Sequence, residues 1–220
     1  SQGPIECGEF GRSGLANSRP HEWAGSWIIP IGGGWSNRHA EKSLWADMNV
    51  HAALALTANP NRDSSEILHE WIVENQLPSD LQLLLEKSPE LILRLRYLDV
   101  WKVLKNQTWM PSENWFRDDN FVPGACAKIA NAVVEQNIAD LLRSERALAS
   151  AMARNHLLEA EKLPVCEHTD FIIGSYQWAS HFAEWTEKTW DILLNHAPLS
   201  RAQCKDLLVA RLDEDPLPPL

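Results

Sequence analysis

The sequence has no excess of basic residues and no long apolar run. Its 20 Lys and Arg residues stand against 30 Asp and Glu residues, which gives a formal net charge of −10. A charge of this sign repels nucleic acid and anionic lipid. A helix that spans a bilayer needs about 20 consecutive apolar residues, and no stretch of the chain approaches this. The sequence therefore predicts a chain that binds neither nucleic acid nor membrane.

Common signatures of metal, redox and nucleophile sites are also missing from the sequence. Zinc and redox sites often use C-x-x-C spacing, which Cys7, Cys126, Cys166 and Cys204 do not show. No histidine pair follows the H-E-x-x-H pattern, and no serine lies in a G-x-S-x-G turn. We therefore predict buried free thiols, no metal and no cofactor.

The first residues of the chain carry no visible targeting signal. A secretory signal peptide has a positively charged segment followed by an apolar run, and the start SQGPIEC has neither. This favours the cytoplasm as the location of the protein.

Glycine is distributed unevenly and divides the chain. Residues 1–42 hold eight of the ten glycines together with short apolar stretches, so we predict strands and loops there. Residues 43–212 show helical patterns almost throughout and are predicted to form one helical domain. Residues 213–220 are acidic and rich in proline, which predicts a disordered tail. The predicted fold is mainly α, a helical bundle behind a short strand and loop region.

Four patterns define the predicted helices. Ser88 and Pro89 predict an N-cap and a first helical residue, and Ser200 is predicted to cap a last helix ending at Leu212. A long helix is predicted from Pro123 to Leu158. Its apolar side would contain Ala130, Val134, Ile138, Leu141, Leu148 and Met152. Another helix, over about 170–195, has the spacings of a bundle seam. That seam would contain Phe171, Ser175, Trp178, Phe182, Trp185, Thr189 and Ile192.

The segment from Trp45 to Ile72 joins two amphipathic helices through Asn59-Pro60, and Asp63 is placed to cap the second of them. Its order W-x-D-M-N, a helix of small residues, N-P and then D-S-x-E-I-x-x-E-W resembles a segment of the family 67-type α-glucuronidases. There it leads from the catalytic barrel into the helical C-terminal region. The resemblance covers roughly residues 4–195. It implies that this chain is the C-terminal part of a glycoside hydrolase, with residues 1–42 as the end of a (β/α) barrel.

The same resemblance makes residues 6–10, ECGEF, the end of a late barrel strand. It implies that Glu6 belongs to the group that activates water for inverting hydrolysis. Glu9 would lie on the opposite face of that strand. Inverting hydrolysis needs a second carboxyl group about 6.5–9.5 Å away, and the chain supplies none convincingly, so we expect it to be inactive alone. The alternative for Glu6 is an ordinary exposed glutamate.

Residues for binding a sugar are predicted in the glycine-rich region. Arg12, Arg19 and His21 share one loop, and an arginine fork suits the carboxylate of a uronic acid. Trp23 and Trp35 are candidates for stacking on a sugar ring, in a chain with eleven tryptophans. The alternatives are a solvated loop for the first three residues and core or interface packing for the tryptophans.

Two hypotheses of different classes follow. The first is the C-terminal helical portion of a carbohydrate-active, α-glucuronidase-like glycoside hydrolase whose partner is a saccharide containing a uronic acid. The second is a non-enzymatic helical domain for interaction or assembly. Under the first hypothesis, a barrel strand without its neighbours leaves edge groups unpaired. We therefore expect a homo-oligomer or a partner chain.

Overall fold

The computed structural model describes residues 44–59, 61–96, 98, 100 and 122–217. They form the helices α1 Leu44–Ala58, α2 Ser64–Glu74, α3 Leu81–Arg96, α4 Pro123–Glu135, α5 Ala139–Ala160, α6 Thr169–His196 and α7 Arg201–Glu214. No strand occurs in this part of the chain, so the prediction of a mainly helical fold is confirmed. None of these seven helices is long and apolar enough to cross a membrane. The strand and loop region predicted at 1–42 lies outside the described residues.

The described residues fall into two compact units. The first contains those between 44 and 89 together with 163–170, and the second contains those between 90 and 162 together with 171–217. Helix α3 begins in the first unit and ends in the second. The predicted domain boundary at residues 42 and 43 lies outside the described part of the chain and stays a prediction.

The first unit is built on the helix pair α1 and α2. Asp63 caps α2 as predicted, because its side chain accepts hydrogen bonds from the backbone N–H groups of Ser65 and Glu66. Trp71 is buried in α2, and its indole N–H donates to Asp47 of α1 at 2.8 Å. This bond joins the two helices of the pair. Further apolar residues of this core are Ile67, Ile72, Leu77, Leu81, Leu84 and Leu85.

The predicted helix start at Ser88 and Pro89 is wrong, because both residues lie inside α3. Ser88 donates its hydroxyl to the carbonyl of Leu84, one turn earlier, at 2.8 Å. A proline inside a helix costs about 3 kcal/mol. Leucines are buried on both sides of it, among them Leu84 and Leu91, and burial of such side chains is favourable enough to offset this cost.

The single long helix predicted from Pro123 to Leu158 is also wrong, because it is broken into α4 and α5. Asn137 has a φ of 56° and lies in the left-handed region. The N–H of Ile138 bonds the carbonyl of Val133, and that of Asn137 bonds Val134. These two bonds form a Schellman motif, which ends helices and favours Gly or Asn at the left-handed residue.

The apolar side predicted for α5 is rotated away from the side that is buried. Leu141 and Leu148 are each 46% exposed. The buried side carries Leu142, Glu145, Arg146, Ala149, Ser150, Ala153, His156 and Ala160. Small and polar residues therefore face the core of the second unit while two leucines face solvent, which a pattern of apolar residues alone does not reveal.

The predicted seam of α6 is correct at its centre and wrong at its start. Phe182, Trp185 and Thr189 are buried, whereas Phe171 is exposed. Trp178 is partly exposed and stacks on Phe182 with 4.9 Å between the ring centroids. The core of the second unit is therefore centred on the later turns of α6.

The last helix begins as predicted and ends later than predicted. Ser200 caps α7 in a reciprocal capping box with Gln203. The helix continues to Glu214, and Asp215 accepts a hydrogen bond from the indole N–H of Trp185 through its carbonyl oxygen at 2.9 Å. The first three residues of the predicted tail, 213–215, therefore belong to the folded part of the chain, because the end of α7 is held against α6.

Replacement of Trp185 tests the core of the second unit. Trp185→Ala should lower the free energy of unfolding by about 3–5 kcal/mol, since it removes a buried indole and leaves a cavity. Trp178→Ala is the matched control on the same helix and should cost clearly less, because its ring is partly exposed. Chemical denaturation measures both. Equal losses of unfolding free energy in the two variants would mean that the core of the second unit is not centred on Trp185.

Candidate functional site

The site residues predicted from sequence are not among those the structure describes. They are Glu6, Arg12, Arg19, His21, Trp23 and Trp35. Their proposed catalytic and sugar-binding roles therefore stay predictions. The candidate site that can be built from described side chains lies in the second unit, between α5 and α6.

A groove of about 650 Å³ runs between α5 and α6. Ion pairs cross it in antiparallel order, from Arg143 to Asp191 and from Arg154 to Glu184. Its described lining consists of Arg143, Ser144, Ala147, Arg154, Glu184, Glu187, Lys188, Trp190 and Asp191. Most of the lining side chains are polar or charged.

One end of the groove is fixed by Arg143. Its guanidinium donates to Asp191 at 2.9 Å, to Asn195 at 2.9 Å and to Asp140 at 3.2 Å. The hydrogen bond to Asp191, assisted by the one to Asp140, raises the pKa of Arg143. This cation is therefore used in joining α5 to α6.

The other charges of the groove leave it formally neutral. Arg154 lies 3.8 Å from Glu184, and the lining holds three cationic and three carboxylate side chains in all. Trp190 contributes to the wall but is buried, so its ring offers no face for stacking on a sugar. The described lining contains neither histidine nor cysteine. Such a groove can hydrogen bond a small, neutral, polar molecule.

A second polar cluster lies on the buried side of α5. Arg146 and Glu145 form an ion pair at 2.6 Å with side chains that are 1% and 6% exposed. The other carboxylate oxygen of Glu145 accepts from the backbone N–H of Val100 at 2.9 Å. Two charges so deeply buried need such partners. The pair satisfies a backbone donor far away in sequence, which is a structural role.

A third polar cluster joins the end of α7 to α6. Arg211 is buried, bonds Asp215 and lies 5.6 Å from the ring centroid of Trp185. His181 lies 3.2 Å from Asp215 on the other side. The hydrogen bond from Arg211, together with that from His181, lowers the pKa of Asp215. This cluster holds a charged carboxylate against the helix pair.

Within the described ranges, no group of three or more His, Cys, Asp or Glu side chains is arranged to hold a metal ion. Sequence reasoning missed both the groove and the buried pair. Arg143 and Asp191 are separated by 48 residues, and no local pattern relates them. The signal for Glu145 and Arg146 was their place on the Ala-rich side of α5, which the more apolar leucine side obscured.

Comparison of the chain with protein-family models, with curated proteins and with solved structures finds no match. The resemblance to α-glucuronidases therefore rests on the sequence motifs themselves.

Removal of the buried carboxylate tests its structural role. Glu145→Ala should cost about 3–5 kcal/mol of stability, because it breaks a buried ion pair and removes the acceptor of the Val100 N–H. Asp140→Ala is the control on the same helix, since its ion pair with Arg143 has a fully solvated carboxylate, and should cost less than about 1 kcal/mol. Urea unfolding compares the two. A Glu145 variant as stable as the Asp140 variant would contradict this role.

Because of the Asp215 carboxylate at the end of α7, the free energy of unfolding should depend on pH in the acidic range. A lowered pKa in the folded state means that the stabilisation is present above the ordinary aspartate value of 3.8 and is lost as the pH falls through the folded-state value. Asp215→Asn should remove part of this loss. Asp213→Asn, at a neighbouring exposed position, should keep it. Thermal midpoints across acidic pH measure it, and identical pH profiles for wild type and Asp215→Asn would refute it.

Proposed function

We propose that this chain is the C-terminal helical part of a carbohydrate-active, α-glucuronidase-like glycoside hydrolase and that it has no hydrolytic activity by itself. The observation that carries the proposal is the contact between Asp47 and Trp71. Both residues belong to the segment that resembles those enzymes, and their side chains meet in one hydrogen bond of 2.8 Å. The quoted motif thus corresponds to one packed unit of structure.

The chemistry of this contact supports a structural role for the segment. Trp71 is buried and needs a partner for its N–H, and the carboxylate of Asp47 provides it from the first helix of the pair. The Asp63 cap then fixes where the second helix begins. Asp47, Asp63 and Trp71 therefore act in packing or capping. In the proposed function, catalytic groups come from elsewhere in the protein.

Glu6 is the catalytic residue we propose within this chain, as the group that helps to activate water. A general acid on the opposite side of the sugar is still required, and it would come from another part of the barrel. Arg12, Arg19 and His21 are proposed to bind the carboxylate of a uronic acid, with Trp23 and Trp35 against the sugar ring. This division explains why the isolated chain is expected to bind without hydrolysing.

The second candidate is a non-enzymatic helical domain for interaction or assembly. The exposed residues Leu141 and Leu148 favour it, since they lie two turns apart on α5 and form an apolar stripe with Met152 beside them. Exposed apolar stripes of this kind occur at contact surfaces. Under this candidate the tryptophans outside the described part would be core or interface residues, and self-association would be the principal activity.

The purified 220-residue chain is expected to release no glucuronic acid from an aldobiouronic acid, because one carboxylate does not make a catalytic pair. It should nevertheless bind that acid more tightly than a neutral disaccharide of the same size. Calorimetric titration measures binding, and chromatography of the products measures release. Arg19→Gln should abolish the preference for the acid. Arg201→Gln, at an exposed position of α7, should keep it.

Two results would contradict the proposal. Glucuronic acid release that is lost in Glu6→Gln would make the chain an enzyme in its own right. Failure to bind either sugar, combined with dimers in sedimentation that Leu148→Lys dissociates, would favour the assembly domain instead.

A further inference from the structure

Two cysteines meet where α4 and α7 begin. Cys126 is the fourth residue of α4, and Cys204 is the fourth residue of α7. The first turns of these helices are close, since a side chain added at Gly124 would meet the side chain of Arg201 at 3.7 Å. The start of α7 is also held to α4 by Asn131, whose amide bonds both the N–H and the carbonyl of Leu199 at 2.6 and 2.9 Å.

The two thiols hydrogen bond to each other in this contact. Both are free and buried, with Cys126 only 1% and Cys204 0% exposed. The bond raises the pKa of Cys126 and lowers that of Cys204. A position in the first turn of a helix also favours a thiolate through the helix dipole.

Two small apolar side chains at this contact would account for burial alone. Cys126 and Cys204 are 78 residues apart in sequence. Packing alone, however, does not require that their thiols meet as donor and acceptor. We propose that Cys126 and Cys204 form a redox pair that a peroxide oxidises to a disulfide linking α4 to α7. The proposal is independent of the function proposed above.

The reaction balances with hydrogen peroxide as the oxidant. The Cys204 thiolate attacks one peroxide oxygen, the O–O bond breaks, and hydroxide leaves and takes up a proton to become water. Cys204 is then a sulfenic acid. The Cys126 sulfur attacks the Cys204 sulfur, its own proton goes to the departing hydroxyl, and a second water leaves as the S–S bond forms. Two thiols are oxidised by two electrons and one peroxide is reduced to two waters.

Access of the oxidant depends on local opening of α7. Among its described residues this helix buries Cys204, Leu208 and Arg211, and Asn131 ties its start to α4, so the opening must separate the first turns of these two helices. Local opening of weakly buried helices admits small reagents to otherwise buried groups. Once formed, the disulfide would close a long loop and restrict the unfolded chain. The oxidised protein should therefore have the higher thermal midpoint.

The test uses the full chain with Cys7→Ser and Cys166→Ser, which leaves only the proposed pair. Cys166 is a suitable residue to remove, because its thiol accepts a hydrogen bond from Thr169 rather than from another cysteine. After treatment with hydrogen peroxide, the intact mass should fall by two hydrogens, and a protease digest should contain the peptide linked between Cys126 and Cys204. A thiol reductant should restore both the mass and the lower thermal midpoint.

The same protein with Cys204→Ala in addition should gain oxygen at Cys126 or remain unchanged, and should never lose two hydrogens. The decisive measurement needs no folded variant at either position, since it is made on protein that retains both thiols. Alkylation of both cysteines after peroxide treatment and unfolding would overturn the proposal. Oxygen addition without a linked peptide, or links between separate chains only, would overturn it equally.

Discussion

Each unit depends on burying one large indole while its N–H stays hydrogen bonded. Trp71 meets this constraint with the carboxylate of Asp47, and Trp185 meets it with the carbonyl of Asp215. A buried donor without a partner costs about 1–3 kcal/mol, so the position of each partner is fixed by the ring. The helices that carry or precede these partners, α1 and α7, bury few side chains of their own. Each indole thus ties a neighbouring helix, or the residue that follows it, to the helix that carries the ring.

Ion pairs join the helices of the second unit in addition to its apolar core. The outer edges of α5 and α6 are joined by arginine and carboxylate pairs, while Glu145 and Arg146 form a pair inside. The outer pairs are solvated and contribute little each. The inner pair is costly to break because both of its side chains are buried. The same type of interaction therefore sets surface geometry in one place and specifies the core in the other.

Local signals were predictable from the sequence, whereas the choice of buried face was not. The caps at Asp63 and Ser200 depend on a side chain bonding the next few residues, and both are found. The break at Asn137 was also visible in principle, since Asn tolerates the left-handed conformation. The face of α5 was not, because its burial depends on Ala149 and Ala153 allowing close approach while Leu141 stays outside. The groove joins residues far apart in sequence, such as Arg143 and Asp191, so no pattern of spacing could reveal it.

The contacts of Asp215 set a minimum length for the folded chain. Its carbonyl pairs the Trp185 indole, and its carboxylate meets both Arg211 and His181. A chain that ended at Glu214 would lose all three contacts at once, and Arg211 would keep only its ion pair with Glu214. Removal of this residue by an exopeptidase acting from the carboxyl terminus would therefore loosen the end of α7 from α6.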